Sequence, residues 1–172
     1  MARELKQRPP TQRELATTRR TLRRFEQGNV PEDIFFEFVR LFPMAFVELA
    51  VFSENPSRPE VLLTPRSADD RFWPGAWHIP GVAIRPQDKS FQGTLNRLTE
   101  TELEGLEISA PVFSEVYFRD GDRGIEIPVV YLAKAIGKPA VGEFFDVGKL
   151  PVNMVDVHRP LVQRSAEAIK KA

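Results

Sequence analysis

Phe91, Leu95, Leu98 and Glu102 recur at spacings of four, three and four, which places them on one face of a helix. Three are apolar and should pack inward. Glu102 continues the stripe where another apolar residue is expected. A carboxylate enclosed by protein is costly unless it is paired or bound to a cation. Glu102 therefore reads either as a metal-facing acid or as a helix-end residue where the stripe has surfaced. Upstream, Trp77-x-x-Pro80-Gly81 forms a turn into a short strand, and the layout brings the main-chain carbonyl of Gly81 or Val82 toward the same spot. A backbone oxygen and a helical carboxylate can hold a divalent cation against a diphosphate. Mg²⁺ in particular keeps several waters and takes one or two carboxylates plus substrate phosphates.

Other chemistries find less support. The chain has no Cys, which excludes disulfides, thiolate catalysis and thiolate metal sites. With two His and no nucleophile elbow there is no Ser-His-Asp arrangement, and neither a phosphate-binding P-loop nor a dinucleotide fingerprint is present. His78 and His158 read as structural or surface residues. Phe72, Trp73 and Trp77 lie on the approach to the Pro80-Gly81 turn. Trp77 is expected to pack beneath it, and Trp73, before Pro74 in a loop, is the better partner for a stacked base or sugar. Glu48 stands alone in an apolar strand, either facing the substrate or metal or lying as a charge against solvent. Asp69, Asp70 and Asp88 are loop acids.

The elements that must position these residues follow from periodicity and punctuation. Thr11 to Gln27 suits a helix with Leu15, Leu22 and Phe25 on one side and Gly28 as a stop. Pro31 to Leu41 is a second helix with Asn29 as N-cap and Ile34, Phe35, Phe38, Val39 and Phe42 on its apolar face. Met44 to Phe52 is a buried central strand, and Glu60 to Pro65 another, reached through the turn Asn55-Pro56-Ser57-Arg58-Pro59. Trp77 to Ile84 is turn plus short strand, and Ser90 to Leu103 a helix. Pro111 to Arg119 and Glu126 to Ala135 are strands joined by the longer loop Asp120-Gly121-Asp122-Arg123-Gly124. Gly142 to Pro151 is a loop or a short strand and turn. Pro160 to Lys171 is a last helix with Leu161, Val162, Ser165, Ala168 and Ile169 inward. Strands and helices alternate without a regular βαβ beat, so the class is α/β in the α+β sense, a mixed sheet with helices on both faces.

The segment from Trp77 to Leu106 resembles a Nudix box. Pro80-Gly81 matches the box's Pro-Gly turn, Arg97 its arginine, Glu102 the second acid of its Glu pair, and Gly105-Leu106 its closing pair. Val82, Leu98 and Thr101 replace a glycine and two glutamates, and Asp88 or Lys89 falls where the first glutamate belongs. One branch, the GDP-mannose mannosyl hydrolases, looks like Arg-Leu-Thr-x-x-Glu-Leu-Gly-Leu on this helix. Arg97-Leu98-Thr99, Glu102-Leu103 and Gly105-Leu106 reproduce that apart from an inserted Glu104. Phe38-Val39-Arg40, Val47-Glu48-Leu49, Leu62-Leu63 with Arg66, and Asp156-Val157-His158 extend the similarity over roughly residues 34–165. The resemblance implies a Nudix-like α/β/α sandwich over residues 29–172, with residues 1–28 as an added basic helical extension. It implies a Mg²⁺- or Mn²⁺-dependent hydrolase of a nucleoside diphosphate linked to another group, a nucleotide sugar by the box variant. Glu102 would hold the metal with the Gly81 or Val82 carbonyl, helped by Glu48 or Asp88. Arg66 would contact phosphate and Arg97 assist the leaving group. The branch's late-loop Gln-His pair is absent from Lys138–Glu143, which leaves Glu143 as the ionisable side chain for the base.

Two function classes follow. One is the hydrolase; the other is a catalytically inactive Nudix fold binding nucleotides or a macromolecular partner, motivated by the box replacements and the missing pair. Zero formal net charge over 172 residues gives the molecule no overall bias toward nucleic acid or membrane. No run approaches a membrane span and no apolar signal core leads the chain, so a cytoplasmic protein is expected. Residues 1–28 hold eight basic residues (Arg3, Lys6, Arg8, Arg13, Arg19, Arg20, Arg23, Arg24) against Glu4, Glu14 and Glu26. They read as a solvated helix lying on the domain or a second subunit, with an arm for an anionic partner as the alternative. A homodimer would give the apolar side of that helix a home.

Overall fold

The computed structural model describes residues 8–26, 29–55 and 58–170. Residues 1–7, the helix stop Gly28, the turn residues Pro56 and Ser57, and Lys171 lie outside them. Four helices and eight strands follow in the order α1 (Gln12–Leu22), α2 (Glu32–Leu41), β1 (Met44–Phe52), β2 (Glu60–Pro65), β3 (Trp77–His78), β4 (Gly81–Ala83), α3 (Phe91–Glu102), β5 (Val112–Val116), β6 (Arg119–Gly121), β7 (Gly124–Lys134), β8 (Glu143–Asp146) and α4 (Arg159–Ile169).

The sheet runs β3-β2-β1-β7-β5, with β4 on β1, β6 on β7 and β8 on β2. Its centre is the parallel pair β1–β7, in register from Met44↔Glu126 to Phe52↔Lys134; the other pairings are antiparallel. This mixed sheet explains why β1 reads as a continuous apolar run: both its faces are covered. Val47, Leu49 and Val51 pack with Leu95, Leu98 and Leu103 toward α3. Ala50 and Phe52 pack with Leu161, Val162 and Ala166 toward α4. By strand alternation Phe46 and Glu48 belong to the α4 side. The α+β sandwich with helices on both faces is therefore as expected.

Several local expectations are corrected. The N-cap position of α2 is Pro31, without a side-chain cap, while Asn29 bridges Glu26. The β6–β7 loop is tighter than expected: Gly121 pairs with Gly124, leaving a two-residue turn, Asp122-Arg123. Gly124 takes φ +124°, and a Cβ there would lie 2.9 Å from the Val39 carbonyl, so only glycine lets this turn close against α2. Phe91, expected inward, is 49% exposed because it opens the first turn of α3, beyond the edge of the packed face. Helix α1 begins with a capping box between Thr11 and Glu14 and buries none of its side chains.

Candidate functional site

The helix carrying Glu102 is held by its entry loop. Ser90 caps α3 through the Gly93 N–H. The preceding loop turns back on the helix so closely that a Cβ on Gly93 would come 2.0 Å from the Asp88 carbonyl oxygen. Lys89 supplies the reversal with φ 60°. The Asp88 carboxylate is thereby delivered to Arg97. Arg97 Nε donates to Oδ1 at 2.8 Å and Nη2 to Oδ2 at 2.7 Å, and Nη2 also donates to the Ala83 carbonyl at 2.8 Å. The Thr94 hydroxyl and the Arg85 N–H donate to the same carboxylate. The Arg97 guanidinium holds the Asp88 carboxyl far below the ordinary range, and Asp88 in turn raises Arg97. Asp88 and Arg97, assigned to metal and leaving group from the sequence, are thus brought to each other, and together they clamp β4 to α3.

Glu102, one turn from the end of that clamp, is half-buried. No hydrogen bond or ion pair reaches it among the described residues. Burial raises its carboxyl, and the nearby charges of Arg66 and Arg97 pull the other way. Among the described residues no three His, Asp or Glu side chains converge on a metal position. A carboxylate with two cations nearby and no donor suits an ion that draws its remaining ligands from backbone, water and substrate. Gly81 and Val82 lie on β4, with Val82 packed in the α3-side core.

Arg66, at the end of β2, donates to Asp70 from Nε at 2.7 Å and approaches it from Nη2 at 2.6 Å. Asp70 also accepts the Phe72 and Trp73 N–H groups, so one carboxylate both orders the loop and holds the arginine. Arg66 lines a cavity of about 200 Å³ with Phe35, Phe46, Glu48, Trp73, His78, Ile79, Gly81, Ala83, Arg123 and His158. Trp73 stands in its wall. Its Nε1 donates to Asp122 at 2.9 Å, and the Arg66 and Arg123 guanidiniums lie over the ring at 5.5 and 4.9 Å. Trp77 instead packs in the core edge-on to Phe145 at 4.9 Å.

At the cavity floor Glu48 is neither strand-end nor solvated; it is 3% exposed. It accepts from Arg119 Nη2 at 2.6 Å and Nη1 at 3.2 Å, and lies 3.3 Å from His158 Nε2. Arg119 donates onward to Glu126, which also pairs with Arg123, giving a buried chain of alternating charge. Burial alone would raise the Glu48 carboxyl; His158 and Arg119 outweigh it and hold it at about 2. His158 Nδ1 accepts the Ile79 N–H at 3.2 Å, which leaves Nε2–H to donate to Glu48. His78, 3.2 Å from the Thr64 hydroxyl, is neutral: burial, then the charge of Arg66, bring it down to about 3.

Glu143 opens β8, paired with Leu63, and its exposed side chain is not among the cavity's lining residues. Sequence reasoning missed Arg119, Arg123 and Glu126. The available signal was two charged residues, Arg119 and Glu126, flanking a short turn at positions that become cross-strand partners.

No family model matches the chain, and no curated protein matches it. Solved structures do. A mutT/nudix family protein from Listeria innocua superposes with a TM-score of 0.58 at 20% identity, covering 76% of this chain and 96% of that one. The C. elegans Ap4A hydrolase gives 0.54 at 17%, covering 74% and 98%. Shewanella oneidensis NrtR gives 0.53 at 19%, covering 73% of this chain but 63% of its own length; its NUDIX domain complexed with ADP ribose gives 0.50 at 19%, covering 81% and 99%. The fold is the Nudix fold.

Proposed function

We propose that this protein is a divalent-metal-dependent hydrolase of a nucleoside diphosphate linked to another moiety, with nucleotide sugars as the favoured class. The observation that carries the reading is Glu102: a half-buried carboxylate without a donor, outside the cavity lining but within the charge of the lining residue Arg66, on a Nudix fold. Glu102 would hold Mg²⁺ or Mn²⁺ with the Gly81 or Val82 carbonyl. A cation there supplies charge stabilisation for the leaving diphosphate. Arg66 contacts phosphate, and Trp73 shapes the wall the substrate meets. Arg97 works through others: it fixes Asp88 and the Ala83 carbonyl, and so the spacing between β4 and Glu102. Asp88 is assigned to that clamp rather than to the metal, because its oxygens already take Arg97, Thr94 and Arg85. Glu48 shapes the cavity floor. Glu143 can serve as base only for a substrate that extends beyond the cavity.

The fold also occurs in a structure of NrtR complexed with a 27mer DNA, of which this chain covers 61%. No helix among the described residues is long and apolar enough to cross a membrane. The test is hydrolysis of a nucleotide-sugar and dinucleotide panel with Mg²⁺ or Mn²⁺, wild type against Glu102→Gln. The variant should lose at least a hundredfold in kcat/KM. Equal turnover by both proteins would remove Glu102 from the site. Nucleotide binding without any turnover would make the protein a binding module instead.

A further inference from the structure

We infer that Arg123, the second residue of the β6–β7 turn, is a second anion-receiving group of the cavity, beside Arg66, and takes a phosphate oxygen at the buried end of the substrate. The inference rests on the nucleotide-hydrolase reading for its substrate class and on four observations for its geometry.

First, a turn arginine ordinarily points into water, yet the Arg123 side chain is 14% exposed and lines the cavity. Desolvating a guanidinium is costly unless its donors are met. Second, they are not all met. Arg123 pairs with Glu126, whose carboxylate already receives Nε and Nη2 of Arg119, and the buried Nε of Arg123 has no acceptor. Third, Arg97 is taken by Asp88 and Arg119 by Glu48 and Glu126, and neither lines the cavity, so Arg123 and Arg66 are its cationic side chains. Of the other lining side chains, Glu48 is paired with Arg119 and His158, and His78 is neutral. Fourth, Arg123 is held ready. The rings of Phe46 and Trp73 each lie 4.9 Å from its guanidinium, Asp122 beside it anchors Trp73, and Gly124 seats the turn against α2. A donor fixed in advance binds without the entropy cost of ordering it.

The volume sets what can enter. About 200 Å³ is below the ~300 Å³ at which pockets begin to enclose a drug-sized ligand. One end of the substrate enters, and the guanidiniums of Arg66 and Arg123 in the lining select an anionic end over a nucleobase. A guanidinium presents a planar fork of N–H donors that two phosphate oxygens can take together, which a lysine ammonium does not.

Calorimetric titration with inorganic diphosphate, without divalent metal, tests this on wild type, Arg123→Gln, Arg123→Lys and the surface variant Arg40→Gln. Unfolding temperatures check that each variant is folded. Wild type and Arg40→Gln should bind alike, Arg123→Gln at least tenfold more weakly, and Arg123→Lys in between. Should Arg123→Gln not fold, Arg123→Lys against wild type decides. Absence of diphosphate binding by wild type overturns the inference. Unchanged binding by the Arg123 variants, or an equal loss in Arg40→Gln, also overturns it. The outcome is separable from the hydrolase reading: Arg123-dependent binding with no turnover on the panel defeats only the latter, and Glu102-dependent turnover with Arg123-independent binding defeats only the former.

Discussion

Truncating Glu48 to Ala leaves His158 without its acceptor and Arg119 with one carboxylate instead of two. Breaking a buried charge pair from one side costs on the order of 3 kcal/mol, to be read as a shift in urea midpoint at neutral pH. The same carboxylate sets an acid limit. Its folded-state value of about 2 lies below the ordinary 4.5, so its contribution is fully present above pH 4.5 and fades as pH falls toward 2. Wild type should lose stability across that window more steeply than Glu48→Gln, measured by unfolding at fixed pH steps. For Asp88 and Arg97 a double-mutant cycle with alanines should show coupling of about 1–3 kcal/mol, the range for residues in one ionic network. At this scale the sequence carried placement more than role. The half-buried position of Glu102 on α3 was legible from its spacing, because helical periodicity is local. That Asp88 would meet Arg97 was not, since the two face each other only after Lys89 adopts a left-handed conformation that no periodicity announces.

Among the elements, α3 depends on its entry loop more than on its own propensities. Gly93→Ala would drive a methyl group into the Asp88 carbonyl, so the loop must move, taking the clamp on Arg97 with it. A destabilisation of about 1–3 kcal/mol, the usual range for overpacking, is expected. Ala at Gly121, which has open space around it, should be far milder; thermal melts of the two variants make the comparison. Elements set by burial were legible: β1 and β2 have the bounds that their apolar runs suggested, and α3 differs by one residue at each end. Elements set by turn geometry were not. The five residues from Asp120 to Gly124 read as a longer loop because four of them, all but Arg123, favour turns. In the fold, Arg119 and Glu126 pair across the strands and draw Asp120 and Gly121 into the ladder, leaving Asp122 and Arg123 as the turn.

For the whole molecule, α1 stands apart from both cores. Leu15 and Leu22 are 46% and 37% exposed, and no side chain of the helix is buried. Deleting residues 1–26 should therefore leave the melting temperature within a few degrees. If the helix covers a second copy of the chain, the deletion should lower the sedimentation coefficient from dimer to monomer; an unchanged value removes the dimer proposal. The rest of the architecture divides the chain's two tryptophans between different worlds. Trp77 is locked in the core beside Phe145, and Trp73 stands at the cavity wall with two guanidiniums over its ring. Cations close to an indole alter its emission, and an anion entering between them would alter it again. The protein thus carries a built-in optical probe. Its fluorescence should report occupancy of the cavity directly, without label or coupled assay, and Trp73→Phe should silence the response while leaving the steady signal of Trp77 behind.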